Sequence, residues 1–217
     1  LSIRLTRPVP PEHALSIMSY NLQNLWTLRE QHSTLEAWQA FFRLQAPDIL
    51  CLQESSIKSQ QGRSLDAFFR KELQLTHRRV APHNSSLVIY SRFPIKADHS
   101  LNFENNSNGF MYVDLNIRGR SLRVYNIHLQ SNQVTQAADR VMSEGNLQEK
   151  ETWLDIREML RRYKRAAQKR ADQAELIAAN LHKCRHPALL CGDFNDTPLS
   201  HAYHLLSEDL CDGFRQA

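Results

Sequence analysis

The chain has little of what breaks regular structure: only 6 Gly and 8 Pro in 217 residues, which excludes collagen-like, linker-like and low-complexity architectures. No apolar run approaches the roughly 18 residues of a membrane-spanning helix. The four cysteines, Cys51, Cys184, Cys191 and Cys211, are too few for a disulfide scaffold and lack the paired C-x-x-C spacing of a zinc site. Cys51 and Cys191 lie inside apolar runs and read as core side chains, which favours a reducing, cytoplasmic setting. The chain starts at Leu1 without an n-region and apolar stretch, so a signal or anchor removed upstream remains compatible with the sequence and the compartment stays open.

What is present is a globular composition, 41% hydrophobic, long enough to bury a sizeable core. The net charge is +4, but Arg157 to Arg170 alone holds seven Lys or Arg against Glu158, a local +6 that leaves the other residues at −2. The basicity is a patch, with Arg161, Arg162, Arg165 and Arg170 in it. It suits a phosphate backbone or an anionic lipid surface, or is a solvated helix face.

Apolar runs at Leu15–Tyr20, Asp48–Gln53, Ser86–Ser91, Phe110–Ile117, Leu122–Leu129 and Ala188–Asp193 predict strands. Phe110–Ile117 and Leu122–Leu129, joined by Arg118–Ser121, predict a hairpin. Ser33 to Glu36 reads as a capping box opening a helix that Pro47 closes, and Leu65, Phe68, Phe69 and Leu73 predict another. From Gln148 to His182, Trp153, Ile156, Leu160, Tyr163, Ala167, Arg170, Ala174, Ile177 and Leu181 form one helical stripe. Such a helix would reach about 50 Å, so a break or a protrusion is expected. Arg170, the one charge on the stripe, either snorkels from its edge or reaches a phosphate. Residues 131–146 read as a loop. No repeat or linker appears, and the pattern predicts a single α/β or α+β domain over 1–217 with mixed sheets.

Polar clusters end several of these strands: Ser19-Tyr20-Asn21, Gln53-Glu54, Asn126-Ile127-His128 and Gly192-Asp193-Phe194-Asn195. Asp193 and Asn195 are two apart on extended backbone and point the same way. With Glu54 and Asn21 they make an oxygen-only donor set, the kind that holds Mg²⁺, with Mn²⁺ as an alternative, rather than zinc. A phosphodiester needs its negative oxygens neutralised before water attacks, which a cation at Glu54 and a donor at His128 would achieve, with Asp193 taking the proton. His128 could equally be a satisfied sheet histidine.

In order and wording, "SIMSYNLQNLW", "PDILCLQE", "SSLVIYSRFPI", "LRVYNIHLQS" and "ALLCGDFNDTPLS" resemble the endonuclease/exonuclease/phosphatase superfamily, from Ser16 to about Ala217. The resemblance implies a four-layer sandwich of two stacked mixed sheets with helices outside. It implies that Asn21 and Glu54 hold the metal, with Glu54 the direct ligand, that Asp193 and Asn195 position or deprotonate water, and that His128 contacts the phosphate. A His rather than a Tyr at that place leans away from abasic-site repair. The expected activity is divalent-metal-dependent phosphodiester hydrolysis, with nucleic acid favoured. Phosphoinositide or sphingomyelin hydrolysis, with peripheral membrane contact, and non-catalytic polyanion binding are the alternatives. Family members end on a Ser-Asp-His strand that this sequence lacks, since neither His201 nor His204 follows an Asp. The expectation is therefore that C-terminal strands are missing, that this chain alone hydrolyses poorly and that it associates through an exposed sheet edge. Oligomeric state is not legible.

Overall fold

A computed structural model of the chain describes residues 14–30, 32–82, 86–103, 108–132 and 150–213. Among the described residues eight strands form two four-stranded sheets. One has the order β1 (Ile17–Asn21), β2 (Ile49–Gln53), β4 (Val88–Ser91), β3 (His77–Val80). The other has the order β5 (Ile95–Asn102), β6 (Gly109–Ile117), β7 (Arg120–His128), β8 (Ala188–Asp193). The described helices are α1 (Trp26–Arg29), α2 (Leu35–Gln45), α3 (Gln60–Lys71), α4 (Lys150–Leu181) and α5 (His201–Ser207).

Period-two alternation makes this a sandwich. In β2, Ile49 and Cys51 face the second sheet, where they meet Met111, Val113, Leu115 and Val124. Leu50 and Leu52 face outward and pack with Phe42 of α2 and Leu65 and Phe69 of α3. On the far side, Tyr125 and Ile127 of β7 meet Ala174 and Ile177 of α4 and Leu206 of α5. The result is the four-layer arrangement of helices, sheet, sheet and helices. Hydrogen bonding with Cys191 and burial push the Cys51 thiol up, which keeps it protonated inside the core.

Several local expectations are corrected. Thr34, not Ser33, caps α2, its Oγ1 accepting the Ala37 N–H at 3.1 Å. Arg120 and Ser121 belong to β7, and the hairpin turn is the pair Arg118-Gly119, both at positive φ (52° and 87°) as a two-residue turn of this hand requires. α4 runs 32 residues without a break, having no Gly or Pro inside it, and is about 48 Å long. Its two halves differ: Ala174, Ile177 and Leu181 are buried, whereas Leu154, Leu160 and Tyr163 are exposed. β3 and β5 escaped the sequence reading because both are largely solvent-facing and therefore carry no apolar alternation. The loop expected at 131–146 lies mostly outside the described residues. Among the described residues no helix is long and apolar enough to cross a membrane.

Candidate active site

Each sheet holds one parallel strand pair, β1 with β2 and β7 with β8, and the carboxyl ends of both pairs meet at one rim. Polar side chains at such ends escape the ladder and face a shared crevice. Asn21 ends β1, Glu54 follows β2, His128 ends β7 and Asp193 ends β8.

One amide joins the two sheets there. Asn21 Nδ2 donates to Glu54 Oε1 at 3.1 Å and to Asp193 Oδ2 at 2.8 Å, while Asn21 Oδ1 accepts the Gln23 backbone N–H at 2.8 Å. The second Glu54 oxygen accepts from Asn24 Nδ2 at 2.8 Å, and Ser56 Oγ donates to Asn24 Oδ1 at 3.0 Å. His128 Nε2 lies 3.7 Å from Glu54 Oε1. His128 Nδ1 is buried and has no hydrogen-bond partner among the described residues, which leaves unmet bonding capacity at the centre of the site. The other Asp193 oxygen accepts the Asn195 N–H at 2.9 Å, an Asx turn. Backbone strain concentrates here: Glu54 and Asn195 hold φ of 47° and 49°, a conformation that costs a non-glycine residue about 1–3 kcal/mol. Gly192, at φ 142°, is obligatory for a second reason, since a Cβ there would sit 2.1 Å from the Ile127 carbonyl oxygen.

Beneath the rim an amide pair links the sheets. Gln53 Nε2 donates to Asn126 Oδ1 at 2.6 Å, and Asn126 Nδ2 donates to the carbonyls of Leu52 and Val88 at 2.9 and 3.1 Å. Both residues are buried, so these members of the polar clusters brace the site from below.

The donor chemistry fits a hard cation. Two carboxylates converge on one amide, Glu54 keeps 26% of its side chain exposed, and a Mg²⁺-type ion asks for one or two carboxylates while retaining waters. Among the described residues no group of three or more His, Cys, Asp or Glu is arranged to hold a metal. Asn21 presents its nitrogen to the two carboxylates and its oxygen to Gln23, which aligns Glu54 with Asp193. Asn195 likewise commits its amide, donating to the Leu129 carbonyl at 2.8 Å.

Neither reading of Arg170, a snorkelling head or a phosphate contact, fits its surroundings. Its side chain is 0% exposed; Nε donates to Asp196 Oδ2 at 2.8 Å, and one terminal nitrogen donates to the Gln130 carbonyl at 3.1 Å and to Asn132 Oδ1 at 2.6 Å. Arg170 therefore ties α4 to the loops after β7 and β8 and cannot reach solvent. Gln173 assists, its Oε1 accepting the Gln130 N–H at 2.9 Å. Arg161, Arg162 and Arg165 stay on the exposed helix face, where Arg162 and Arg161 pair with Glu158 at 3.2 and 3.5 Å. Hydrogen bonding to Arg162 holds the Glu158 carboxyl below its usual range. Arg162, Arg165 and Lys169 line a cavity of about 340 Å³ that also touches Gln130 and Asn132, two to four residues past His128.

Asn24, Gln130, Gln173 and Asp196 were missed from sequence. Asn24 and Asp196 carried a signal, falling three residues after Asn21 and directly after Gly192–Asn195; Gln130 and Gln173 carried none.

The family model for the Endonuclease/Exonuclease/phosphatase family matches residues 18–215, and the chain belongs to that family. Its fold is similar to that of sphingomyelinase C from Streptomyces griseocarneus, with 19% identity, TM-score 0.60, and coverage of 90% of this chain and 69% of that one. A beta toxin variant from Staphylococcus aureus, solved with bound magnesium ions, matches at 14% identity and TM-score 0.60, over 90% of this chain and 70% of that one. Humanized TDP2 from D. rerio matches at 15% identity and TM-score 0.57, over 92% and 68%. No curated protein sequence matches the chain.

Proposed function

We propose that the chain is a divalent-metal-dependent phosphodiester hydrolase that acts on nucleic acid. The observation that carries this reading is the convergence of Glu54 and Asp193, from different sheets, on the single Asn21 amide nitrogen beside His128. Family membership supports the reaction class, and the magnesium-bound neighbour supports the cation.

A bound Mg²⁺ would supply charge neutralisation of the phosphodiester oxygens, and Glu54 is the carboxylate that would hold it, steered by Asn24 and Asn21. Asp193, kept in place by Asn21 and the Asn195 N–H, has lone pairs left to accept a proton from the attacking water. His128 supplies a donor beside the reacting phosphate as negative charge grows on it.

The test is Glu54→Gln, which keeps shape and removes charge. Calorimetry should show Mg²⁺ affinity falling, hydrolysis of bis(p-nitrophenyl) phosphate should be lost, and melting should change little. Unaltered Mg²⁺ affinity would remove Glu54 from the metal site, and Mg²⁺ binding without turnover in the parent chain would favour a non-catalytic binder. One observation favours a second reading, hydrolysis at a lipid surface: exposed Leu154 and Leu160 lie on the same half of α4 as the basic run. Comparing DNA, RNA, phosphoinositide and sphingomyelin as substrates separates the two.

A further inference from the structure

We infer that a second anion-binding pocket, built for a phosphate group, opens beside Glu54 at the start of α3. A cavity of about 310 Å³ is lined there by Ser55, Lys58, Ser59 and Ser86, with Val80 and Ala81 as its apolar wall. Ser55 directly follows Glu54, so the cavity adjoins the catalytic rim on the side of the first sheet.

Its most telling group is the Ser55 hydroxyl. Ser55 is 3% exposed, and its Oγ has no hydrogen-bond partner among the described residues. Buried hydroxyls are nearly always paired, and Ser55, a residue that lines the cavity, keeps a hydroxyl with donor capacity to spare. Its backbone is fixed, since the Ser55 N–H donates to the Ser86 carbonyl at 3.0 Å.

The electrostatics select an anion. Ser59 is the N-cap of the 12-residue helix α3, its Oγ accepting the Gly62 N–H at 3.0 Å, so the positive end of that helix borders the cavity. The first turn of α3 holds no acidic residue, and among the described residues no Asp or Glu lines the cavity. Lys58 stands exposed at the wall, and Arg63 reaches the same corner by donating to the Lys58 carbonyl at 2.6 Å. The neighbouring Glu54 carboxylate is turned to Asn21 and Asn24. Hydroxyl donors, a helix N-terminus and the Lys58 cation are what a phosphate's acceptor-only oxygens require.

The assignment rests on the phosphodiester reading for its substrate: the pocket takes the phosphate adjacent to the one being cleaved, whether that phosphate belongs to a nucleic acid strand or to an inositol polyphosphate. The experiment titrates inorganic phosphate into the metal-free full chain by calorimetry. The affinity of Ser55→Ala/Lys58→Gln should fall by about tenfold, the size of one lost charge-assisted hydrogen bond, and Asp193→Asn should bind as the parent does. Equal phosphate affinity in the parent and the double variant would overturn the pocket. Ser55→Ala alone should melt no lower than the parent, because the hydroxyl has nothing to lose; a clear fall would overturn its unpaired status and with it the pocket. In turnover, Lys58→Gln should raise KM for a phosphate-flanked oligonucleotide or an inositol polyphosphate, and the affected substrate identifies the source. KM for bis(p-nitrophenyl) phosphate should not move. Phosphate binding without hydrolysis of any diester would sink the proposed function and leave the pocket standing; hydrolysis with unchanged phosphate binding would do the reverse.

Discussion

The two sheets deliver one carboxylate each to the rim, by the same device of a parallel strand pair, yet they reinforce it differently. On the β1/β2 side, Glu54 rests on the neutral amides of Asn21 and Asn24, which belong to the short segment after β1. On the β7/β8 side, the loop that carries Asp193 is anchored three residues later by Asp196, whose side chain is 7% exposed, against the fully buried Arg170. Neutral amides near solvent can be replaced by water when one is removed. A buried ion pair cannot, because losing one partner strands the other's charge in a low-dielectric interior. The comparison teaches that the Glu54 side is adjustable while the Asp193 side is locked.

The sharpest way to break that contrast is Arg170→Met. It should destabilise the fold by about 3–5 kcal/mol in urea denaturation. Pairing it with Asp196→Leu should recover a large part of the loss, since no unpaired charge then remains. A cost for Arg170→Met no greater than that of a surface change would mean that the two rims are held alike.

Asn21→Ala tests the point where the two sides join. Removing the shared amide should cost about 1–3 kcal/mol, because two carboxylates then face each other without the intervening donor. Mg²⁺ affinity should change with it, which calorimetry reads. Asn24→Ala, confined to the Glu54 side, should cost about 0.5–1.5 kcal/mol in the same denaturation experiment.

The smallest effect on stability belongs to the exposed basic face. Changing Arg161, Arg162 and Arg165 together to Gln should leave melting nearly unaltered, as surface substitutions stay within about 0.5 kcal/mol each. If this face tracks a nucleic acid backbone, the salt dependence of binding should flatten by about two to three units, near one per lost phosphate contact. An unchanged slope would assign the patch to solvent.

Much of the architecture was readable before any coordinates, wherever a residue's environment followed from its neighbours in the chain. The unbroken apolar run Ile49–Leu52 announces a strand buried on both faces, and the alternation in β6 announces one whose every second residue shares a side. Strands β3 and β5 stayed hidden, since a strand that faces water along most of its length keeps no such pattern. The motif residues Asn21, Glu54, His128 and Asp193 were also legible, being polar residues at the ends of apolar runs and matching a family's wording.

What only the tertiary structure decided is which way each polar group turns and what it meets. Arg170 interrupts an apolar stripe, and the sequence offers both a snorkelling and a phosphate-binding explanation; its partner Asp196 is 26 residues away, and only the packing of α4 on the second sheet brings them to 2.8 Å. Asn21 is a polar strand end in the sequence, and only the fold shows its nitrogen meeting two carboxylates while its oxygen accepts the Gln23 N–H. The unpaired Ser55 hydroxyl is one of several serines in "ESSIKSQQGRS", and nothing local sets it apart from its neighbours. Periodicity and residue type are local properties that a chain states directly, whereas hydrogen-bond partners and burial of a single side chain arise from contacts between segments that are distant in sequence.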